Sequence, residues 1–205
     1  MLRTGKNPNA IKAFERAIEV ENDWALPYIG LSTALARTGA FDKARVAAQD
    51  AHRYDSEWWV PVSASASVLA AEGRLDEAIE EYKRAVTLSR DNPLVLSQLA
   101  TVYFSAGLDR EAESHARKAL ALNEDLSSPR LLLAEWALSR RNGEEALEHA
   151  ERAISIAPQN VVARLCRADA LALLEREDEA MTEYTKAIEY WSKLGPQTAS
   201  VDRLE

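Results

Sequence analysis

The chain has 205 residues, 47% of them hydrophobic, and 33 Asp+Glu against 25 Lys+Arg give a formal charge of −8. That length and apolar fraction exclude intrinsic disorder, and seven glycines with seven prolines are too few for an all-β protein built from tight turns. The acidic balance argues against a nucleic-acid binder, whose affinity comes from Lys and Arg clusters, and no run of 18 apolar residues exists to span a membrane.

A period of 34 residues organises the chain. Alanine pairs recur at Ala10 and Ala17, Ala44 and Ala51, Ala78 and Ala85, Ala112 and Ala119, Ala146 and Ala153, and Ala180 and Ala187. With Ala25 as position 1, these are positions 20 and 27, and a third small column at position 8 holds Ser32, Ala66, Ala100, Ala134 and Ala168. Such self-similarity marks a repeat architecture, in which each unit buries its apolar face against the next.

In chain order, residues 1–24 come first and hold a lone second helix, about Asn9 to Val20. Arg3-Thr4-Gly5 matches Arg37-Thr38-Gly39, so nearly all of a first helix is missing. Five full units follow at 25–58, 59–92, 93–126, 127–160 and 161–194. Each reads as two helices. In the second unit the first helix runs from about Val62 to Ala71 and stops at Gly73. Leu75 to Ser89 then sets Leu75, Ala78, Ile79, Tyr82, Ala85, Val86 and Leu88 on one face at helical spacing. Gly39, Gly73 and Gly107 share position 15, which is Arg141 and Glu175 in the last two units. Pro27, Pro61 and Pro129 share position 3, where proline suits a first helical turn. A polar tail, 195–205, ends the chain. Small side chains at positions 8, 20 and 27 are what two helices need where their axes approach to roughly 8 Å.

A 34-residue helix–turn–helix unit with small residues at 8, 20 and 27 resembles the tetratricopeptide repeat. Aromatics at position 24 (Phe14, Tyr82, Tyr184), glycine at 15 and Pro158 at 32 extend the resemblance over essentially the whole chain. It implies an all-α fold, an α-solenoid of antiparallel helix pairs in a right-handed superhelix, with first helices lining a concave groove. Position 4, usually aromatic in this family, is Tyr28, Val62, Leu96, Arg130 and Arg164; position 7, usually apolar, includes Ser65 and Arg167. These departures are expected to weaken packing in the fourth and fifth units, although long arginine stems can cover apolar surface.

Little in the chain points to catalysis. Cys166, at position 6, borders the expected groove with no histidine on any first helix to activate it. His115 and His149 share position 23 and read as residues of a solvated outer face, and two imidazoles make a poor zinc site. Gly5-Lys6-Asn7-Pro8 lacks the strand, second glycine and Lys-Ser/Thr ending of a phosphate loop. Glu144-Glu145 and Glu177-Asp178-Glu179 fall at second-helix N-termini, where the helix dipole favours negative charge. Trp24, Trp58 and Trp59 read as packing residues at repeat junctions or as exposed anchors for a partner, and Trp136 and Trp191 as packing residues. No enzyme, cofactor or metal is expected.

The resemblance places ligand contacts on first helices. By that register the groove residues are Leu26, Ile29, Thr33, Ser63, Ser67, Leu94, Ser97, Thr101, Phe104, Leu131, Glu135, Leu165 and Asp169. The Lys/Asn pattern of carboxylate-clamping repeats is absent, as is the asparagine ladder of repeats resembling those of the O-linked sugar transferase. Position 9 changes from Thr33, Ser67 and Thr101 to Glu135 and Asp169, so a partner with apolar anchors and a Lys or Arg is expected. Alternatively, these acids pair with Arg130, Arg164 or Arg167.

The expected function is a non-catalytic protein-interaction scaffold with a protein or peptide ligand, no nucleic acid and no membrane insertion. Alternatives are a structural module that self-associates end to end, through Ile11, Phe14 and Ile18 against Tyr184, Ile188 and Trp191, or a regulatory arm of a larger protein. The mid-repeat start leads to the expectation of a segment of a longer chain, against a short protein with frayed ends. The lone cysteine fits a reducing compartment, so the cytoplasm is expected, while an upstream signal would lie outside these residues.

Overall fold

The computed structural model describes residues 7–21, 23–54 and 57–194. Eleven helices occupy them: α1 Asn7–Val20, α2 Ala25–Ala36, α3 Phe41–Tyr54, α4 Trp59–Ala71, α5 Leu75–Leu88, α6 Pro93–Ser105, α7 Asp109–Leu122, α8 Ser127–Ser139, α9 Gly143–Ile156, α10 Val161–Leu173 and α11 Glu177–Leu194. No strand occurs among the described residues, and no helix among them is long and apolar enough to cross a membrane. Gly5 and the tail 195–205 lie outside the described residues.

The chain divides into two compact units, Met1–Leu108 with α1 to α6 and Asp109–Glu205 with α7 to α11. Within each, helix pairs stack in the manner of an α-solenoid. In the first unit α2 packs on α3 and α4 on α5, while α1, α3 and α5 each pack on the first helix of the following pair. In the second unit α8 packs on α9 and α10 on α11, with α7 against α8 and α9 against α10. The short loops between paired helices force the antiparallel arrangement.

The small columns lie where these helices meet. At position 8, Ser32, Ala66, Ala100, Ala134 and Ala168 are completely buried, and at positions 20 and 27 every alanine from Ala44 onward is buried. Ala146 sits in a cluster with Ala137, Leu147, Ala170, Leu171 and Ala180, where four helices, α8 to α11, meet. Cys166 is a corrected expectation. It is buried against Ala134 and Ala150 and does not border a groove, because a small side chain at position 6 wedges between neighbouring helices.

First helices begin earlier than sequence periodicity suggests, at Trp59 rather than Val62 in the second pair. The first four N–H groups of a helix have no partner within it, so proline at position 3 costs nothing there; Pro61 and Pro129 are fully buried. Asparagines assist: the side chains of Asn92 and Asn160 accept from the backbone N–H of Leu94 and Ala163 at the starts of α6 and α10, and Asn142 accepts from Glu145 N–H at the start of the second helix α9.

First helices end in one recurring motif. In the second pair Gly73 N–H donates to Ala70 O and Arg74 N–H to Leu69 O, and equivalent bonds follow α2, α6, α8 and α10. The residue at position 15 takes a left-handed conformation every time. Gly39, Gly73 and Gly107 adopt it without strain, and Arg141 (φ 57°) and Glu175 (φ 59°) are held in it despite their Cβ atoms.

The arginines at position 4 are engaged with the loops of the later repeats. Arg130 is buried and donates through Nε and Nη2 to the carbonyl of Glu124, at 3.1 and 3.0 Å. Arg164 donates to the carbonyl of Pro158 at 2.9 Å and lays its guanidinium over Tyr190. Glu124 and Pro158 share position 32, so each arginine ties its helix to the loop before it.

Position 23 is likewise not solvated in the later pairs. His149 is buried with no hydrogen-bond partner at Nδ1, and burial lowers its pKa below the ordinary 6.5. On α11 the same position holds Glu183, 1% exposed. Arg164, Arg167 and Lys186 reach its carboxylate at 2.9, 2.8 and 2.7 Å. Burial alone would raise the Glu183 pKa, but hydrogen bonds from Lys186 and Arg164 and the charge of Arg167 outweigh it and hold it below 4.5. Trp136 is buried beneath the Arg140 guanidinium, whereas Trp191 is 44% exposed beside Ile188 and is not a packing residue within the described residues.

Three outcomes are expected. Arg141→Gly and Glu175→Gly each raise the unfolding free energy by about 1 kcal/mol, because a left-handed non-glycine residue is strained; unchanged urea midpoints would contradict the strain. Ala146→Leu lowers it by about 1–3 kcal/mol through overpacking, read from the same titration. His149, neutral when folded, contributes stability that is complete above 6.5 and is lost as pH falls from there through its lower folded value, since the unfolded chain takes up the proton first. His149→Gln therefore loses less melting temperature than wild type between pH 7.5 and 5.5, and parallel profiles would refute it.

Candidate functional site

The first helices place the expected groove residues in two sets, one in each unit. In the first unit Leu26 and Leu94 are 47% and 54% exposed, and Ile29 and Phe104 are half-buried. Thr33 is exposed and Thr101 half-buried; each returns its hydroxyl to a carbonyl four residues back, Ile29 and Ser97 respectively. That bond satisfies the hydroxyl and leaves the methyl group outward, so the face is more apolar than its composition.

Ser63 and Ser97 are buried. Ser63 Oγ donates to Gln98 Oε1 at 2.9 Å, joining α4 to α6. Ser67 lies between Ser63 O, at 2.9 Å, and the Tyr82 hydroxyl, at 2.6 Å. These serines hold the face together and supply its shape.

In the second unit Leu131, Glu135 and Leu165 are half-buried and Asp169 is exposed. Asp169 accepts a short hydrogen bond from the Tyr184 hydroxyl, and this carboxylate raises the Tyr184 pKa to about 12. Both lie at a cavity of about 470 Å³ whose walls include Leu138, Arg141, Ala172, Leu173 and Glu175. Arg164 and Arg167 meet Glu183, and Arg167 also meets Glu151 at 3.2 Å. Asp169 is thus held by the Tyr184 hydroxyl, while Arg164 and Arg167 turn to Glu183.

Tyr82 and Tyr184 share position 24, and their partners Ser67 and Asp169 share position 9. A tyrosine at 24 with a hydrogen-bonding residue at 9 of the same repeat is a signal the sequence carried and pattern reading passed over. The ends of the helical array differ from expectation too. Phe14 is not open but packs on Gly30, where an added Cβ would come within 2.3 Å of its ring. Ile188 and Met181, both 67% exposed, stand on α11 with Trp191. No group of three or more His, Cys, Asp or Glu suited to a metal ion occurs among the described residues.

Comparison with known proteins fits this geometry. A TPR repeat family model matches residues 66–107, and two tetratricopeptide repeat models match residues 2–57 and 94–130. No curated protein matches. Among solved structures the chain is similar to YrrB, described as a TPR protein with an unusual peptide-binding site. The two are 22% identical, with 88% of this chain and 93% of that one covered and a TM-score of 0.58. It is similar to TTC0263, a thermophilic TPR protein of Thermus thermophilus, at 23% identity, 82% and 92% coverage and a TM-score of 0.72. It also resembles a chain of the APC/C hetero-tetramer Cut9-Hcn1, at 15% identity, 92% and 38% coverage and a TM-score of 0.80. At these identities the structural likenesses speak to the fold, and with the family models spanning more than half of its length, the chain belongs to the tetratricopeptide repeat family.

Proposed function

We propose that this protein is a non-catalytic interaction scaffold whose first helices bind partner segments. The observation that carries the reading is the first unit's line of apolar side chains, Leu26, Ile29, Leu94 and Phe104, left partly or largely exposed on helices whose other sides are buried. Apolar groups kept at a surface by a rigid frame suit the apolar face of an amphipathic helix or extended peptide. Ser63 and Ser97 form its floor, and Ser67, Thr33 and Thr101 add small polar edges.

The second unit's face suits different chemistry. Leu131 and Leu165 offer apolar contact, while Glu135 and Asp169 at position 9 favour a segment carrying Lys or Arg. YrrB, described as having an unusual peptide-binding site, and the chain in a hetero-tetramer lend support by fold alone. Self-association through the exposed Met181, Ile188 and Trp191 of α11 is a second reading, favoured by that exposure. Sedimentation that stays monomeric across a hundredfold concentration range would remove it.

The test is selection of peptides from a random library on the immobilised protein, followed by affinity measurement on variants. Leu94→Glu is expected to weaken peptides selected for apolar anchors by tenfold or more. Glu135→Lys with Asp169→Lys is expected to do the same for peptides bearing Lys or Arg. Affinities unmoved by all three substitutions would overturn the assignment of these faces.

A further inference from the structure

A second surface, outside the first-helix faces, holds a cavity of about 470 Å³ between α3, α4 and α5. Arg45, Gln49 and His52 of α3, Val62, Ser65 and Leu69 of α4, and Arg74, Glu81 and Arg84 at α5 are among its walls. The 34-residue register shows what belongs there, because the same place recurs three periods later between α9, α10 and α11. There Arg167 fills it, with Nη1 on Glu183 at 2.8 Å and Nε on Glu151 at 3.2 Å. Glu81 is the counterpart of Glu183, Gln49 of Glu151, and Arg84 of Lys186. The two arginines α10 contributes, Arg164 and Arg167, correspond to Val62 and Ser65 on α4. The acceptors are retained and the guanidiniums are gone, leaving a space.

Three arginines around the opening would at first sight suit an anion. Two are already engaged. Arg45 donates to Asp42 and Glu72, and Arg74 grips Glu77 through both Nε and Nη2, at 2.7 and 2.6 Å. Arg176 grips Glu179 in the same two-pronged way in the filled counterpart, at 2.7 and 2.8 Å. This pair is therefore part of the frame in both places. Glu81 is met by Arg84 only at 3.9 Å, whereas Lys186 reaches Glu183 at 2.7 Å. Asp42, Glu72 and Glu77, outside the lining, take up Arg45 and Arg74, which leaves Glu81 as the carboxylate of the cavity wall with Arg84 no nearer than 3.9 Å.

We propose that this cavity is a socket for an arginine side chain of a partner protein, its guanidinium resting on Glu81 and Gln49 as Arg167 rests on Glu183 and Glu151. The planar fork of a guanidinium suits one carboxylate and one amide oxygen side by side, and the apolar walls Val62, Val68 and Leu69 cover its methylene stem. The site uses residues of α4 other than Ser63 and Ser67 and draws its remaining walls from the second helices α3 and α5, so it stands independently of the peptide-binding reading.

The probe is N-acetyl-L-argininamide, titrated into the isotope-labelled protein and followed by amide chemical shifts. Saturable shifts confined to the neighbourhood of Gln49, Ser65 and Glu81 are expected, with none from N-acetyl-L-citrullinamide, which keeps the shape and lacks the charge, and none from inorganic phosphate. Glu81→Gln weakens binding about tenfold, the loss of one charge-assisted pair. Ser65→Arg, which rebuilds the filled counterpart from within, abolishes binding while the melting temperature holds or rises. Should Ser65→Arg fail to fold, Glu81→Gln decides alone. Equal binding of the citrulline analogue, saturation by phosphate at these residues, or undiminished binding to Glu81→Gln or to folded Ser65→Arg would overturn the proposal.

Discussion

Close approach of neighbouring helices at buried methyl groups is the contact on which the rest of this molecule depends. At positions 8, 20 and 27 the side chain is alanine or serine, and from Ser32 onward each is buried. A larger group would hold the axes apart, and with them the hydrogen-bonded loops and the register between consecutive pairs. Because one helix pair cannot bury its own apolar face, stability accrues from each unit's contact with the next. Functional side chains then ride on a frame whose spacing is set by residues that have no chemistry of their own.

That frame tolerates different solutions at equivalent places. Where α4 carries Val62 and Ser65, a cavity opens over Glu81; where α10 carries Arg164 and Arg167, the same region closes on a buried carboxylate, Glu183. Burying one carboxylate, even among three cations, is not an efficient source of stability, since desolvation offsets much of the attraction. It does join α10 to α11, since Arg164 and Arg167 both reach Glu183. The guanidiniums of Arg130 and Arg164 add a second kind of constraint by capturing the carbonyl at position 32, so the loop before each helix is held by the helix it precedes.

The proposed binding faces draw on the same economy. Backbone-directed hydroxyls of Thr33 and Thr101 and the bond from Ser63 to Gln98 satisfy these polar groups within the protein. What remains presented is apolar in the first unit and, through Asp169 held by Tyr184, acidic in the second. A phenol partner steadies the carboxylate without neutralising it, as an arginine would have done.

The sequence by itself determined the helical class, the 34-residue period, the helix pairs and the residues that carry the crossings, because periodic burial and chain reversal are local properties written in side-chain size and in glycine and proline placement. The proposed first-helix faces come from that register. Only the tertiary structure decided that position 23 is buried at His149 and Glu183, that Cys166 and Ser63 belong to the interior, that Arg130 and Arg164 bond to the loops before their helices, and that Trp191 is exposed. The hydrogen bond that a tyrosine at position 24 makes to position 9 joins residues 15 apart on different helices. Whether Ser65 leaves a void or Arg167 fills one depends on three helices at once. Such outcomes rest on directions in space between distant side chains, which composition and spacing along a chain do not encode.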